Sequence, residues 1–330
     1  MVKSKIIRNT GKYNFLKIDP VKSLGTALII FFIILSFTTD NFFTLFNLIT
    51  ILRQCSLYSI LAIGLGMVIL TGGIDLSGAN VISFTGITVA WMIATVHLDL
   101  WLAIILTLLI GAIIGLVNGL LIAYLGITPF AATIATMFII QGITFQLTDG
   151  YPIYAGLTEE FKFIGQGYIW IIPVPAIITT FIFCIAYFFL NNIRTGQHIY
   201  AIGSNEEAAV FTGVNVKRTK LIAYIISSTC AALDGIMLTA RLGTAQPAAA
   251  GFDFFFTAIT AVVIGGVSLS GGKGSIIGIL IGVLFLAIMN NGLTLLKVSS
   301  YMQWIAIGFL LILSLLWNSY KGKYSGGEFE

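Results

Sequence analysis

The stretch 261–278, AVVIGGVSLSGGKGSIIG, joins a Gly-rich loop and a lysine to an apolar run, the ingredients of a phosphate-binding loop. Such a loop needs Gly, four residues, then Gly-Lys-Ser/Thr, because backbone NH groups and the lysine must meet the phosphates together. Here Gly266 is followed by four residues and Gly271, but Gly272 occupies the lysine position. Lys273 comes one residue late, with Gly274 in place of a hydroxyl. The spacing argues against nucleotide binding. No nucleophile–base pair and no cluster with metal-ligand spacing occurs elsewhere. Cys55, Cys184 and Cys230 lie far apart in apolar stretches, and His97 and His198 make no ligand pair. The expectation is a chain that catalyses no covalent chemistry and holds no cofactor of its own.

The remaining candidates are polar side chains inside apolar runs. Ionisable groups at membrane depth are costly and mark sites or partners. Asp75 lies in a Gly-rich turn, and Asp75-Leu76-Ser77 before an apolar run fits equally a helix cap. Asp234 and Arg241 share a helix face at a spacing of seven, which reads first as a structural pair. Asn118, Gln141, Asn290 and Asn291 are amides that can donate to and accept from sugar hydroxyls, or bridge helices. With Asp75 and Ser77 they form the candidate substrate pathway.

The elements that must carry these groups are membrane helices. Hydrophobic residues make up 58% of the 330 and charged residues 9%, with mean hydropathy +1.02. A soluble domain carries about 25% charged residues. The fold class is therefore all-α: a polytopic helical membrane bundle of about ten spans with Gly-rich broken segments. The apolar segments are about 23–38, 47–71, 79–96, 101–125, 129–148, 169–190, 218–241, 254–270, 275–293 and 301–318. Residues 1–22 form a basic tail and 319–330 a C-terminal one, whose YSGGEFE reads as a cloning remnant. Lys and Arg concentrate in the tails and in 194–220, which places both termini and that loop in the cytoplasm. The net charge of +4 follows from these membrane edges and does not argue for nucleic acid.

Two Gly ladders, Gly111-Gly115-Gly119 and Gly274-Gly278-Gly282, suit close helix packing. An internal echo relates VILTGGIDLSGANVISFTG at 68–86 to VVIGGVSLSGGKGSIIG at 262–278. The first turn contributes Gly72 and Gly73, the second Gly265, Gly266 and Gly271. Repeated broken helices mark central sites in transporters, and both copies fall at the same end of the bundle.

Residues 200–220, YAIGSNEEAAVFTGVNVKRTK, predict a short exposed helix. Asn205 caps it, Glu206 and Glu207 suit its first turn, and Gly213 ends it, with Ala208, Ala209 and Phe211 as the apolar side. Glu207-Ala208-Ala209 followed by Gly213 resembles the coupling signature of ABC importer permeases. The wider chain resembles the ribose-type sugar ABC importer permeases through NFFTLFNLITIL, VILTGGIDLS, IYAIGSNEEAAVFTGVNV, ARLGTAQPAAAG, AVVIGGVSLSGGKGSIIG and NNGLTLLKVSSY, from about 41 to 317. The resemblance implies a transmembrane subunit, 23–318, with a coupling loop at about 194–218 in the bacterial cytoplasmic membrane. It implies a second permease copy or paralogue, cytoplasmic ATPase subunits that bind the ATP and Mg, and an extracytoplasmic sugar-binding protein.

Departures bear on the cargo. The family's Tyr-Glu-Leu-Asp-Ala-Ile-Ala-Ala is Phe254 to Ala261 here, without acids; its Val-Gly after Asp-Leu-Ser is Gly78-Ala79; Asp234 replaces a small residue. Ribose or a related monosaccharide is the default expectation. A nucleoside or branched-chain amino acid on the same machine is the alternative. A proton-coupled secondary transporter using Asp75 or Asp234 is the rival from another class. The Gly and polar series disfavours a purely structural or receptor role.

Overall fold

The computed structural model describes residues 20–39 and 41–325, without the side chains of Pro20, Phe252 and 317–325. Residues 1–19 of the basic tail and 326–330 of the C-terminal one therefore lie outside the described residues. Thirteen helices and one hairpin follow in order: α1 (Pro20–Thr38), α2 (Leu45–Leu70), α3 (Gly78–Ala94), α4 (Leu100–Ala123), α5 (Pro129–Thr148), α6 (Glu159–Gln166), β1 (Tyr168–Ile169), β2 (Ile172–Pro173), α7 (Val174–Asn192), α8 (Arg194–Ser204), α9 (Glu206–Phe211), α10 (Val216–Leu242), α11 (Phe252–Ile264), α12 (Ile276–Leu295) and α13 (Ser300–Ser325).

Each of the ten expected apolar segments holds a helix, but among the described residues seven are long and apolar enough to cross a membrane: α1, α2, α4, α5, α7, α10 and α12. α3 and α11 are apolar and shorter, as is the stretch Ser300–Leu316 of α13, whose side chains are described. Two of these are cut by the Gly-rich turns. α3 begins only after 71–77, and α11 stops at Gly265-Gly266, where Gly266 has φ +89°. The expected sixth segment is also shortened. Residues 168–173 form an antiparallel hairpin, and the helix starts at Val174, where Pro173 and Pro175 suit a helix start but not an interior.

α2, α10 and α12 are the most buried of the long helices and form the centre. α10 packs most extensively on α4, then on α2 and α3. The first Gly ladder explains the closest of these contacts. A Cβ at Gly115 would run into the Tyr224 and Ile225 backbone, and one at Gly111 into Ser228 and Ala232. The second ladder lets α12 meet α11: Gly278 and Gly282 lie against the backbone of Gly265 and Ala261. With no hydrophobic drive between helices in lipid, such backbone approach is where packing energy comes from.

The bundle has two distinguishable ends. One carries α8, α9 and both Gly-rich turns. The other carries α6 and the hairpin, where Phe161 is fully buried among Ile236, Ala240 and Ala245. A backbone bridge between Ile153 and Ala245 ties two loops together there.

Candidate functional site

The short helix α9 forms as its sequence dictates. Asn205 Oδ1 accepts from the Ala208 NH at 2.9 Å, and Gly213 at φ +81° ends the turn. Six residues are too few for stability alone, so its attachment matters. Ala209 is buried with Ile202 and Val216. The apolar side expected from Ala208, Ala209 and Phe211 is thus divided: Ala209 faces the bundle, while Ala208 and Phe211 face outward, Phe211 at 90% exposure. The reason is helical geometry, since neighbours about 100° apart cannot all face one side. The two glutamates also separate. Glu206 accepts from Lys220 Nζ of α10 at 2.7 Å. Glu207 is exposed and makes no ion pair among the described residues.

α8, which the sequence reading left within a loop, packs against α9. Burial pushes the Tyr200 phenol above its usual range. At its end, Gly203 sits against the Leu70 carbonyl and the Gly272 NH, which are hydrogen-bonded to each other at 3.0 Å. A Cβ at Gly203 would overlap both. The two Gly-rich turns also touch directly. A Cβ at Gly271 would lie 2.7 Å from the Gly72 nitrogen and 2.9 Å from the Gly203 Cα, and Gly271 itself has φ +85°. The echoed segments therefore meet at one end, with Gly203 wedged between them. A cleft of about 310 Å³ opens beside this clasp, lined among others by Gly73, Asn205, Glu206, Lys220, Tyr224 and Ser270.

Behind the first turn lies a closed polar network. Asp75 Oδ1 accepts from the Ser77 NH at 3.1 Å and from Ser77 Oγ at 2.6 Å; Oδ2 accepts from Ser227 Oγ at 2.8 Å. Asn118 Nδ2 donates to Ser77 Oγ at 3.0 Å, and Asn118 Oδ1 accepts from Thr136 Oγ1 at 2.6 Å. Asp75, Ser77, Asn118 and Ser227 are all fully buried. The Tyr224 hydroxyl donates to the Ile74 carbonyl at 3.2 Å. Asp75 thus holds the NH of the capping residue rather than those of the helix, and ties the turn to α10. The network joins α3, α4, α5 and α10.

The other candidate amides are elsewhere. Asn291 exchanges two hydrogen bonds with Asn47 of α2, at 2.9 and 2.7 Å. Asn290 is buried with its carbonyl oxygen unpartnered. Gln141 is half-buried on α5. The six proposed pathway residues do not converge on one pocket. The Asp234–Arg241 pair is also absent: no ion pair forms, and both Asp234 oxygens are buried without a hydrogen-bond partner. Seven residues advance about 10 Å along a helix, so a shared face does not bring the charges together.

Ser227, Thr136, Lys220 and Gly203 escaped the sequence reading. Ser227 was legible only as the first of three hydroxyls, Ser227-Ser228-Thr229, in an apolar run, and Gly203 had no signal beyond its place two residues before Asn205.

Residues 47–315 match the family described as "Branched-chain amino acid transport system / permease component". The chain is 41% identical to the ribose import permease protein RbsC of Haemophilus influenzae over 299 residues, 90% of this chain and 92% of that one. It is 43% identical to RbsC of Bacillus subtilis, covering 89% and 91%. It is 36% identical to the D-allose transport system permease protein AlsC of Escherichia coli, covering 87% and 89%. No solved structure matches the chain.

Proposed function

We propose, from the premise that this chain belongs to the branched-chain amino acid transport system / permease component family, that it is the membrane subunit of an ATP-driven importer for ribose or a closely related monosaccharide. The sugar follows the relatives named for ribose and allose import, which cover nine-tenths of the chain or close to it. ATP hydrolysis belongs to a partner chain, and a soluble binding protein delivers the cargo at the α6 end. The Lys and Arg of both tails argue for cytoplasmic termini.

The observation that carries the mechanism is the clasp of the α8 end, which leads straight into α9, on both Gly-rich turns. α9 offers Glu207, Val210 and Phe211 outward, while Asn205, Glu206 and Ala209 hold it to the bundle. A groove of about 610 Å³ beside it, lined in part by Ile127, Pro129, Val210 and Lys217, adds to the docking surface. A partner that moves α9 moves Gly203 with it. Because Gly203 meets backbone, with no flexible side chain to absorb the displacement, both broken helices must follow. That is rigid-body transmission through a packed, weakly compressible contact. The Asp75 network keeps the first turn attached to α4, α5 and α10 during the movement.

Reconstitution in liposomes with the cognate ATPase and binding protein tests the reading. Ribose-stimulated ATP hydrolysis with ribose uptake is expected. Stimulation by a nucleoside or branched-chain amino acid alone would keep the machine and overturn the cargo. Uptake that needs a proton gradient and no ATP would overturn both.

A further inference from the structure

The hairpin between α6 and α7 takes no part in the clasp or the buried network. Tyr168, Ile169, Trp170, Ile171 and Ile172 are all exposed, and Trp170 reaches 96% at φ +60°. The hairpin is nevertheless held firmly at its base. The Arg53 guanidinium of α2 stacks 4.3 Å from the Tyr168 ring centroid and donates to the Gln166 carbonyl at 2.6 Å. The Val174 NH donates to the Gly167 carbonyl at 3.0 Å. An ordered apolar tip is therefore presented outward.

Three observations identify what covers it. From Phe163 through Ile193 no side chain is charged, yet α7 uses only 19 of those residues. A helix of that length rises about 28 Å, close to the ~30 Å hydrocarbon core, so the hairpin sits where α7 leaves the core. β2 also runs directly into α7, whose Phe181, Ile185 and Phe188 are exposed on the outside of the bundle. The tip continues that lipid-facing surface. Finally, Tyr and Trp set among isoleucines are the composition of the membrane–water interface, where such rings settle. A soluble protein that docks and leaves in each cycle would return this apolar tip to water between visits, at roughly 25 cal/mol per Å².

We propose that the Tyr168–Ile172 hairpin is a membrane-interface anchor seated at the lipid headgroup level. It sets the height of α6 and, through Gln166, of the end of α10: Gln166 Nε2 donates to the Arg241 carbonyl at 3.0 Å and the Ala240 carbonyl at 3.3 Å. The opposite end of α10 is tied to α9 by Lys220, so the helix that receives the coupling motion is anchored to lipid at its far end.

The test uses the full chain in phosphatidylcholine nanodiscs with Trp170 as the sole tryptophan, Trp91, Trp101, Trp304 and Trp317 being changed to Phe. Bromine placed high on the acyl chains should quench its emission about twofold, more than bromine near the chain ends, and iodide in the buffer should quench it little. Strong iodide quenching without bromine quenching overturns the anchor. So does protection from iodide that arises only when the binding protein is added, which would make the hairpin a protein contact. If the four-site variant fails to insert, the difference between the unaltered chain and Trp170→Phe gives the same reading, and no bromine-sensitive difference overturns the proposal. None of these outcomes depends on the cargo.

Discussion

Two buried aspartates, Asp75 and Asp234, are treated in opposite ways by the bundle. Near α9, Asp75, Ser77, Asn118, Thr136 and Ser227 satisfy one another, and the backbone of three segments meets at Gly72, Gly203 and Gly271. Toward the α6 end, both oxygens of Asp234, Arg53 Nε and the Asn290 carbonyl oxygen are buried without partners. A closed network resists distortion because breaking it strands several groups at once. An unpartnered buried group already carries a desolvation cost of about 1–3 kcal/mol. The contrast separates a carboxylate that ties its turn to a neighbouring helix from one that holds nothing.

The sharpest way to break the comparison is Asp75→Ala. Three hydrogen bonds vanish and Ser227 is stranded, so thermal unfolding in detergent should report a loss of about 3 kcal/mol or more. An effect below about 1 kcal/mol would mean that the network is not cohesive. Next is Gly203→Ala, whose methyl group must displace backbone at Leu70 and Gly272. Overpacking should cost about 1–3 kcal/mol, and sugar-stimulated ATP hydrolysis should fall roughly tenfold while the ATPase still co-purifies. Gly142→Ala, with nothing within 4 Å of the added atom, supplies the silent control.

Smaller effects sharpen the division within α9. Glu207→Lys should leave insertion and unfolding unchanged and lower ATPase co-purification roughly tenfold, as reversal of an exposed contact charge does. Glu206→Gln removes the Lys220 pair, and because that pair is partly exposed its stability effect should stay within about 1 kcal/mol. Equal loss of ATPase from both variants would erase the distinction between the holding and presenting glutamate. Asp234→Asn should also change stability little. With no hydrogen bond to lose, it should be neutral or stabilising within about 1 kcal/mol. Destabilisation equal to that of Asp75→Ala would remove the difference between the two aspartates.

Local physics made a large part of this molecule readable in the sequence. Apolar run length placed ten helices, because the cost of burying unpaired backbone in lipid leaves a helix as the only solution for a single segment. The α9 boundaries followed from a cap at Asn205 and a Gly at 213, both satisfied within a few residues of the chain. The two Gly ladders announced close helix contacts because they lie at a helical spacing, and the echo between 68–86 and 262–278 announced a pair of turns. Tertiary structure decided what met what. Helical periodicity put Asp234 and Arg241 on one face but left them two turns apart, so they do not pair. Ser227 reached Asp75 across 152 positions, and Asn47 reached Asn291 across 244. Gly203 lay between the two turns only once α2, α8 and the turn after α11 had packed. Short-range propensities and the lipid solvent act on neighbouring residues and are written in order along the chain; contacts between distant segments depend on how whole helices pack, and no local spacing encodes that.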